Sequence, residues 1–241
     1  MYIDASSFFY AFLGGIVPAL IWLYFLLRED ARCPEPRSLI WVAFLSGGLA
    51  VALSLPIEHF AISILPTMDP FPGKYVIGAW ALTEEVAKFL LVLVLVLWRR
   101  EVNESVDFVV YMITAALGFA AAENMLFLLG ALAQGHLVEG IVTQNLRFIG
   151  STLVHVVSSS LVGFALALTY TSHRWFRLPA MLLGLILAIA LHSVFNFLII
   201  LRDGSQTFGA FVIVWIATIV FLALFELLKY FRYRHLPKNT C

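Results

Sequence analysis

The sequence has little charge and almost no cysteine. Only 12% of its 241 residues are charged and 62% are hydrophobic, whereas about a quarter of the residues in soluble domains are charged. This composition excludes a water-soluble globule. Lys plus Arg number 15 and Asp plus Glu also number 15, so no net charge attracts a polyanion. Nucleic-acid binding is therefore not expected.

The two cysteines, Cys33 and Cys241, lie in polar segments. The loop charges described below place both segments in the cytoplasm, where thiols stay reduced. We therefore expect neither a disulfide nor a cysteine-based metal site. The sequence also lacks the HExxH motif, in which one helix supplies two zinc ligands. The ligands of any metal would have to come from separate helices.

Long apolar runs dominate the chain instead. A membrane-crossing helix needs about 20 apolar residues, and seven segments qualify. They are residues 6–27, 39–65, 75–98, 108–129, 148–170, 178–201 and 207–228. The loops between them are short, and the sequence contains no internal repeat. These features predict an all-α, polytopic membrane helical bundle of about seven transmembrane helices. We therefore expect residues 1–241 to form a single integral-membrane domain, in a multi-pass protein of the plasma membrane.

Loop charge predicts the orientation, because Lys and Arg are retained on the cytoplasmic side. One set of loops carries eleven of these residues, whereas the opposite set carries only Lys74, Arg147 and Arg202. The amino terminus is therefore expected outside and the carboxyl terminus in the cytoplasm.

Several ionisable, amide and hydroxyl side chains lie inside the predicted spans, where each ionisable group costs about 2.5 kcal/mol or more. They are Glu84, Glu85 and Lys88 in the third span, Glu123 and Asn124 in the fourth, His155 and Ser159 in the fifth, and His192 and Asn196 in the sixth. Counted along each helix, these sets lie roughly 9 to 15 Å below the outer boundary. Their common depth predicts one polar pocket within a catalytic core of about residues 75–201.

The spacing within each helix suggests roles for these groups. Lys88 is one turn from both Glu84 and Glu85 and can neutralise one of them, which leaves the other free for chemistry. His155 and Ser159, like His192 and Asn196, are four residues apart, so each imidazole has a polar neighbour on its own face. The alternative is purely structural: an ion pair and hydrogen bonds that join helices.

At these residues the sequence resembles the PrsW family of intramembrane proteases, which are distantly related to the Abi group and the CAAX prenyl endopeptidases. The resemblance is carried by four motifs in order on successive spans. They are EExxK (Glu84, Glu85, Lys88), FxxxEN (Phe119, Glu123, Asn124), HxxxS (His155, Ser159) and HxxxN (His192, Asn196). Where the family often has a tyrosine after the EN pair, this chain has Phe127.

The resemblance implies a membrane-embedded peptidase whose substrate is a membrane-anchored protein, since members of the family cut anti-sigma factors at an extracytoplasmic site. The residues point to hydrolysis by activated water. Glu85 or Glu123 would accept a proton from water, His155 or His192 would position the water, and an Asn would stabilise the oxyanion. The catalytic set expected from the motifs is Glu84, Glu85, Glu123, His155 and His192, supported by Lys88, Asn124, Ser159 and Asn196.

The sequence leaves open whether a metal takes part and whether the protein is a protease. Zn²⁺ bound by His155, His192 and Glu123 is an alternative way to activate water, although we prefer a metal-independent glutamate mechanism. The same polar groups would also suit a proton-coupled transporter. A third hypothesis is a non-catalytic membrane scaffold subunit, because the family is distantly similar to one in gamma-secretase.

Overall fold

A computed structural model describes residues 4–29, 33–66, 72–200 and 206–233. Within these ranges the chain is helical and contains no strand. The helices are α1 (Ala5–Glu29), α2 (Arg37–Ile64), α3 (Lys74–Val92), α4 (Ser105–Ala133), α5 (Leu137–Ile149), α6 (Ser151–Leu168), α7 (Arg174–Ile200) and α8 (Thr207–Tyr233). Helix α3 continues through a π-helical segment, Leu93–Leu97. Only helices, which pair their own backbone groups, suit a chain of this hydropathy in lipid.

Helix α4 forms the centre of the bundle and packs against α1, α2 and α6. Nearly every residue from Val106 to Ala121 is buried, as expected for a helix that is apolar on all sides. A capping box starts it, since the Asp107 carboxylate accepts the backbone N–H of Glu104 at 2.8 Å. The central position of α4 brings Glu123 and Asn124, near its other end, into the middle of the protein.

Close packing of α2 against α4 depends on two glycines. A Cβ atom at Gly47 would overlap the backbone oxygen of Ala115, and one at Gly118 would overlap that of Phe44. Small residues let helix backbones approach each other, which is the main route to tight packing where lipid weakens the hydrophobic effect.

Six helical segments are long and apolar enough to cross a membrane, counting only the residues that the structure describes. They are Ala5–Glu29, Arg37–Ile64, Ser105–Ala133, Val138–Leu168, Trp175–Ile200 and Thr207–Arg232. The predicted polytopic all-α bundle is confirmed. Helix α3, the remaining predicted span, is not among the six because it carries Lys74, Glu84, Glu85 and Lys88 in its sequence.

The segment between α4 and α6 differs from the sequence prediction. We expected a polar loop before residue 148, but α5 occupies Leu137–Ile149 and meets α6 at Gly150. The backbone at Gly150 leaves the helical region, with φ −123° and ψ −74°. A side chain there would overlap the ring of Phe211. The regular helix is therefore interrupted at Gly150, between α5 and α6.

Two expectations about the loops involve residues outside the described ranges. The prediction that the chain forms no disulfide concerns Cys33, between α1 and α2, and Cys241, which lies outside the described residues. Arg202, one of the three cations of the predicted outer loops, also lies outside the described residues.

Candidate active site

Four helices bring the ionisable residues of the four motifs together. Glu84, Glu85 and Lys88 come from α3, Glu123 from α4, His155 from α6 and His192 from α7. All but Glu123 are buried, with Lys88 and Glu85 no more than 1% exposed. Charges are tolerated at such depth only when they are paired or hydrogen-bonded. The partners of each group therefore indicate whether it is held in place or can bind a ligand.

Glu85 is bonded through both of its oxygens. Its Oε1 accepts hydrogen bonds from Lys88 Nζ at 2.5 Å and His192 Nδ1 at 2.9 Å, and its Oε2 accepts one from Ser159 Oγ at 2.9 Å. Three helices, α3, α6 and α7, thus meet at this one carboxylate. Lys88 neutralises the charge of Glu85. Because both oxygens of Glu85 accept hydrogen bonds from its neighbours, its role is to orient them.

Glu84 contrasts sharply with Glu85. Its Oε2 is buried and has no hydrogen-bond partner. This oxygen lies 3.7 Å from His192 Nε2 and 3.9 Å from His155 Nδ1. One ligand atom from each of Glu84, His155 and His192 lies within 4.8 Å of the others. The imidazole rings meet edge to face, with centroids 4.8 Å apart.

Each imidazole is held by a carboxylate at its other nitrogen. His155 Nε2 lies 2.9 Å from Glu123 Oε2, and His192 Nδ1 lies 2.9 Å from Glu85 Oε1. When His155 Nε2 and His192 Nδ1 carry the ring protons, His155 Nδ1 and His192 Nε2 are unprotonated and face Glu84. This carboxylate–histidine arrangement is typical of metal centres, because the outer carboxylate fixes the tautomer and raises the basicity of the ligand.

Lys88 and Phe119 complete the surroundings of His155. Lys88 Nζ lies 3.1 Å from His155 Nδ1 and 4.5 Å from the centroid of the Phe119 ring. The His155 and Phe119 ring centroids are 5.0 Å apart. The FxxxEN phenylalanine thus packs directly beside the polar cluster.

A cavity of about 500 Å³ opens beside this cluster. Its polar lining includes Glu58, Glu84, Glu123, Arg147, His192 and Asn196. Aromatic and aliphatic residues of α2, α4, α5 and α7 form most of the remaining wall. Clefts of this size with a few convergent polar groups are typical of ligand sites.

The structure places the nine site residues predicted from sequence as follows. Eight of them share one network of direct contacts, and Asn196 lines the cavity beside them. Ser159 bonds Glu85 and does not bond its helical neighbour His155. Among the carboxylates, Glu84 is the one that faces both histidines, whereas Glu123 contacts only His155.

Arg147 was missed as a site residue because the sequence placed it in a loop. It lies near the end of α5 and pairs with Glu123. Its Nε donates to Asn124 Oδ1 at 2.7 Å, and Asn124 in turn donates to Thr152 Oγ1 at 3.2 Å. The signal that would have found it is the helical spacing of apolar residues in α5, at positions 138, 141, 142, 146 and 149.

Comparisons with known proteins agree with this geometry. Residues 35–224 match the family model described as PrsW family intramembrane metalloprotease. The chain is 27% identical over 216 residues to Protease PrsW of Oceanobacillus iheyensis, covering 89% of this chain and 93% of that protein. Identity to Protease PrsW of Clostridioides difficile is 25% over 199 residues, covering 79% of each chain.

Protease PrsW of Bacillus subtilis is 24% identical over 188 residues, covering 77% of this chain and 81% of that protein. No solved structure matches the chain. The family match spans most of the bundle and includes all four motifs. The chain therefore belongs to the PrsW family of intramembrane metalloproteases and is a multi-pass, membrane-embedded protease.

Proposed function

We propose that the protein cuts membrane-anchored protein substrates in the cavity between α2, α4, α5 and α7, using Zn²⁺ held by Glu84, His155 and His192. The observation that carries the proposal is the buried Oε2 of Glu84, which has no hydrogen bond and faces both imidazoles. A buried polar atom without a partner costs about 1–3 kcal/mol. A cation at this point would remove that cost.

The donor set fits zinc. One carboxylate oxygen and two imidazole nitrogens are a common set of protein ligands in catalytic zinc sites, which keep a further position for water. Glu123 and Glu85 would hold the outer nitrogens of the two imidazoles. Lys88 Nζ, 3.1 Å from His155 Nδ1, would have to give up that contact and keep its bond to Glu85. Both the ligand set and the family description favour the metal route over the glutamate route that we preferred from sequence.

The protein's own residues would supply the remaining chemistry. When bound, zinc lowers the pKa of a water molecule and polarises the scissile carbonyl. Glu123, which lines the cavity with a side chain 21% exposed, accepts the proton of the attacking water and returns it to the leaving amine. Asn196 donates a hydrogen bond to the oxyanion. Glu85, already bonded by three donors, orients His192 and is not the base.

The substrate class follows from the position of the cavity and the family. Its wall is largely apolar and suits a polypeptide that leaves the bilayer in an extended form. With the amino terminus outside, as the loop charges predict, the bond that is cut lies towards the extracytoplasmic side. An anti-sigma factor with one membrane span is a substrate of this kind.

The experiment that tests the proposal compares new amino termini in membranes of cells that produce the wild type or the Glu84→Gln variant at equal abundance. Glu101→Gln, in the exposed turn after α3, is the matched control. We expect termini near the outer ends of single-span proteins with the wild type and the control, but not with Glu84→Gln. Identical termini for the wild type and Glu84→Gln in cells that produce a known single-span anti-sigma factor would contradict the proposal.

A further inference from the structure

Helix α5 has an unusual arrangement of its two faces. Its apolar side chains point outwards, with Val138 73%, Ile141 51% and Val142 55% exposed. Two of its polar side chains turn inwards: Gln144 Nε2 donates to the backbone oxygen of Gly14 at 2.7 Å, and Arg147 reaches Glu123. An apolar outer face suits contact with lipid. The inner face places the one cation of α5 at the cavity wall.

Arg147 is held by three groups of α4. Its Nη2 donates to Glu123 Oε2 and its Nε donates to Asn124 Oδ1, at 2.7 Å for the latter bond. The guanidinium carbon also lies 3.8 Å from the centroid of the Phe127 ring. A planar fork that bonds two acceptors while stacking on an aromatic face is a role that arginine fills and lysine does not.

A series of contacts links Arg147 through Glu123 to His155, a proposed zinc ligand. The same Oε2 of Glu123 that pairs with Arg147 lies 2.9 Å from His155 Nε2. His155 then faces Glu84 Oε2 with its other nitrogen, at 3.9 Å. A carboxylate left without Arg147 would be free to change rotamer, and His155 would lose the acceptor of its Nε2 proton. Lys88 Nζ, which can only donate, lies 3.1 Å from Nδ1 and keeps that nitrogen unprotonated without metal. The loss of Glu123 would therefore show as a lost hydrogen bond at Nε2.

We propose that Arg147 is a positioning residue that acts through Glu123, by holding the carboxylate where it accepts the Nε2 proton of His155 and so orients the ring with Nδ1 towards Glu84. This inference rests on the proposed function for its consequence, which is tighter metal binding. The hydrogen bond from Nε2 to Glu123 is itself independent of any metal. Helix α5 thereby contributes to the active site, although none of the four motifs lies on it.

The experiment measures the Nε2–H chemical shift of His155 by ¹H–¹⁵N NMR of metal-free, histidine-labelled protein in lipid nanodiscs, with the signal assigned by His155→Gln. We expect the downfield signal of a hydrogen bond to a carboxylate in the wild type, and an upfield shift in Arg147→Gln. Arg147→Lys, which keeps a cation opposite Glu123 but lacks the planar fork, should give an intermediate shift. Gln144→Met is the matched control, because it weakens the docking of α5 one turn away without touching Glu123, and it should leave the shift unchanged.

The second measurement is the Kd for Zn²⁺ in a double-mutant cycle. Outer carboxylates of metal ligands contribute about 10- to 100-fold to affinity, so Arg147→Gln should weaken Zn²⁺ binding by a factor in this range. Adding it to Glu123→Gln should change the Kd little, because both substitutions break the same contact. Additive losses, an equal effect of Gln144→Met, or an unchanged Nε2–H shift in Arg147→Gln would overturn the inference. A changed shift in a protein that binds no Zn²⁺ would support the inference and overturn the zinc assignment.

Discussion

Glu84 and Glu85 approach opposite nitrogens of one imidazole ring, that of His192. Oε1 of Glu85 lies 2.9 Å from Nδ1, and Oε2 of Glu84 lies 3.7 Å from Nε2. Two adjacent residues of one helix thus have different tasks. Glu85 is bonded by Lys88, Ser159 and His192, whereas Glu84 Oε2 has no partner. The two glutamates can therefore be tested separately, Glu85 for its effect on stability and Glu84 for its effect on zinc binding.

Replacing Glu85 by leucine should destabilise the protein, because Lys88 would remain buried without its carboxylate. Removing one partner of a buried ion pair costs about 3–5 kcal/mol. The further substitution Lys88→Met should recover much of this loss, since two apolar side chains then fill the space. Thermal unfolding in nanodiscs measures both effects. Proteolysis should stay abolished in the double variant because His192 has lost its orienting acceptor, and recovered proteolysis would show that Glu85 serves stability alone.

Removing divalent metal should abolish proteolysis. We expect a chelator to inactivate the purified wild type and Zn²⁺ to restore it, since Glu84, His155 and His192 would hold the ion. Bound zinc, measured by elemental analysis, should fall below 0.1 equivalents, on the order of background, in Glu84→Gln and His192→Ala. His59→Gln removes an exposed histidine of α2 and should retain zinc. Full activity in the presence of the chelator would instead favour the metal-independent glutamate mechanism.

Alanine at Gly118 should loosen the contact between α2 and α4. Its Cβ would overlap the backbone oxygen of Phe44, which cannot move without shifting the helix. Overpacking of this kind costs about 1–3 kcal/mol. Gly130 lies in the same helix with nothing within 4 Å of the Cβ position, so Gly130→Ala is the matched control. Thermal unfolding should separate the two variants, and equal midpoints would contradict the packing described for α2 and α4.

The orientation predicted from loop charge can be tested by cysteine labelling. In a background without Cys33 and Cys241, a membrane-impermeant maleimide should label His136→Cys, in the turn between α4 and α5, in intact cells. Glu101→Cys, in the turn between α3 and α4, should be labelled only after the membrane is opened. Both positions are exposed. The reverse pattern would place the cavity on the cytoplasmic side and exclude cleavage of an extracytoplasmic segment.

Much of the fold could be predicted from sequence because the bilayer allows so few structures. Apolar runs of about 20 residues can hardly be anything except spanning helices, and the described helices coincide with the predicted spans over most of their lengths. Helix α5 was missed because its 13 residues are too few to span a bilayer and include Glu139, Gln144, Asn145 and Arg147. The helical spacing of its apolar residues was the available signal, and only the tertiary structure shows that Gln144 and Arg147 turn inwards.

The sequence by itself determined which residues are available for chemistry, because ionisable groups are costly in lipid and each must have a use. It also determined their common depth, since helix rise is constant. Only the tertiary structure decided the contacts of each residue. Lys88 pairs with Glu85, Glu84 faces both histidines, and Arg147 of α5 pairs with Glu123. These choices depend on helix rotation and on contacts between residues as far apart as 107 positions. Spacing along one helix carries no information about either.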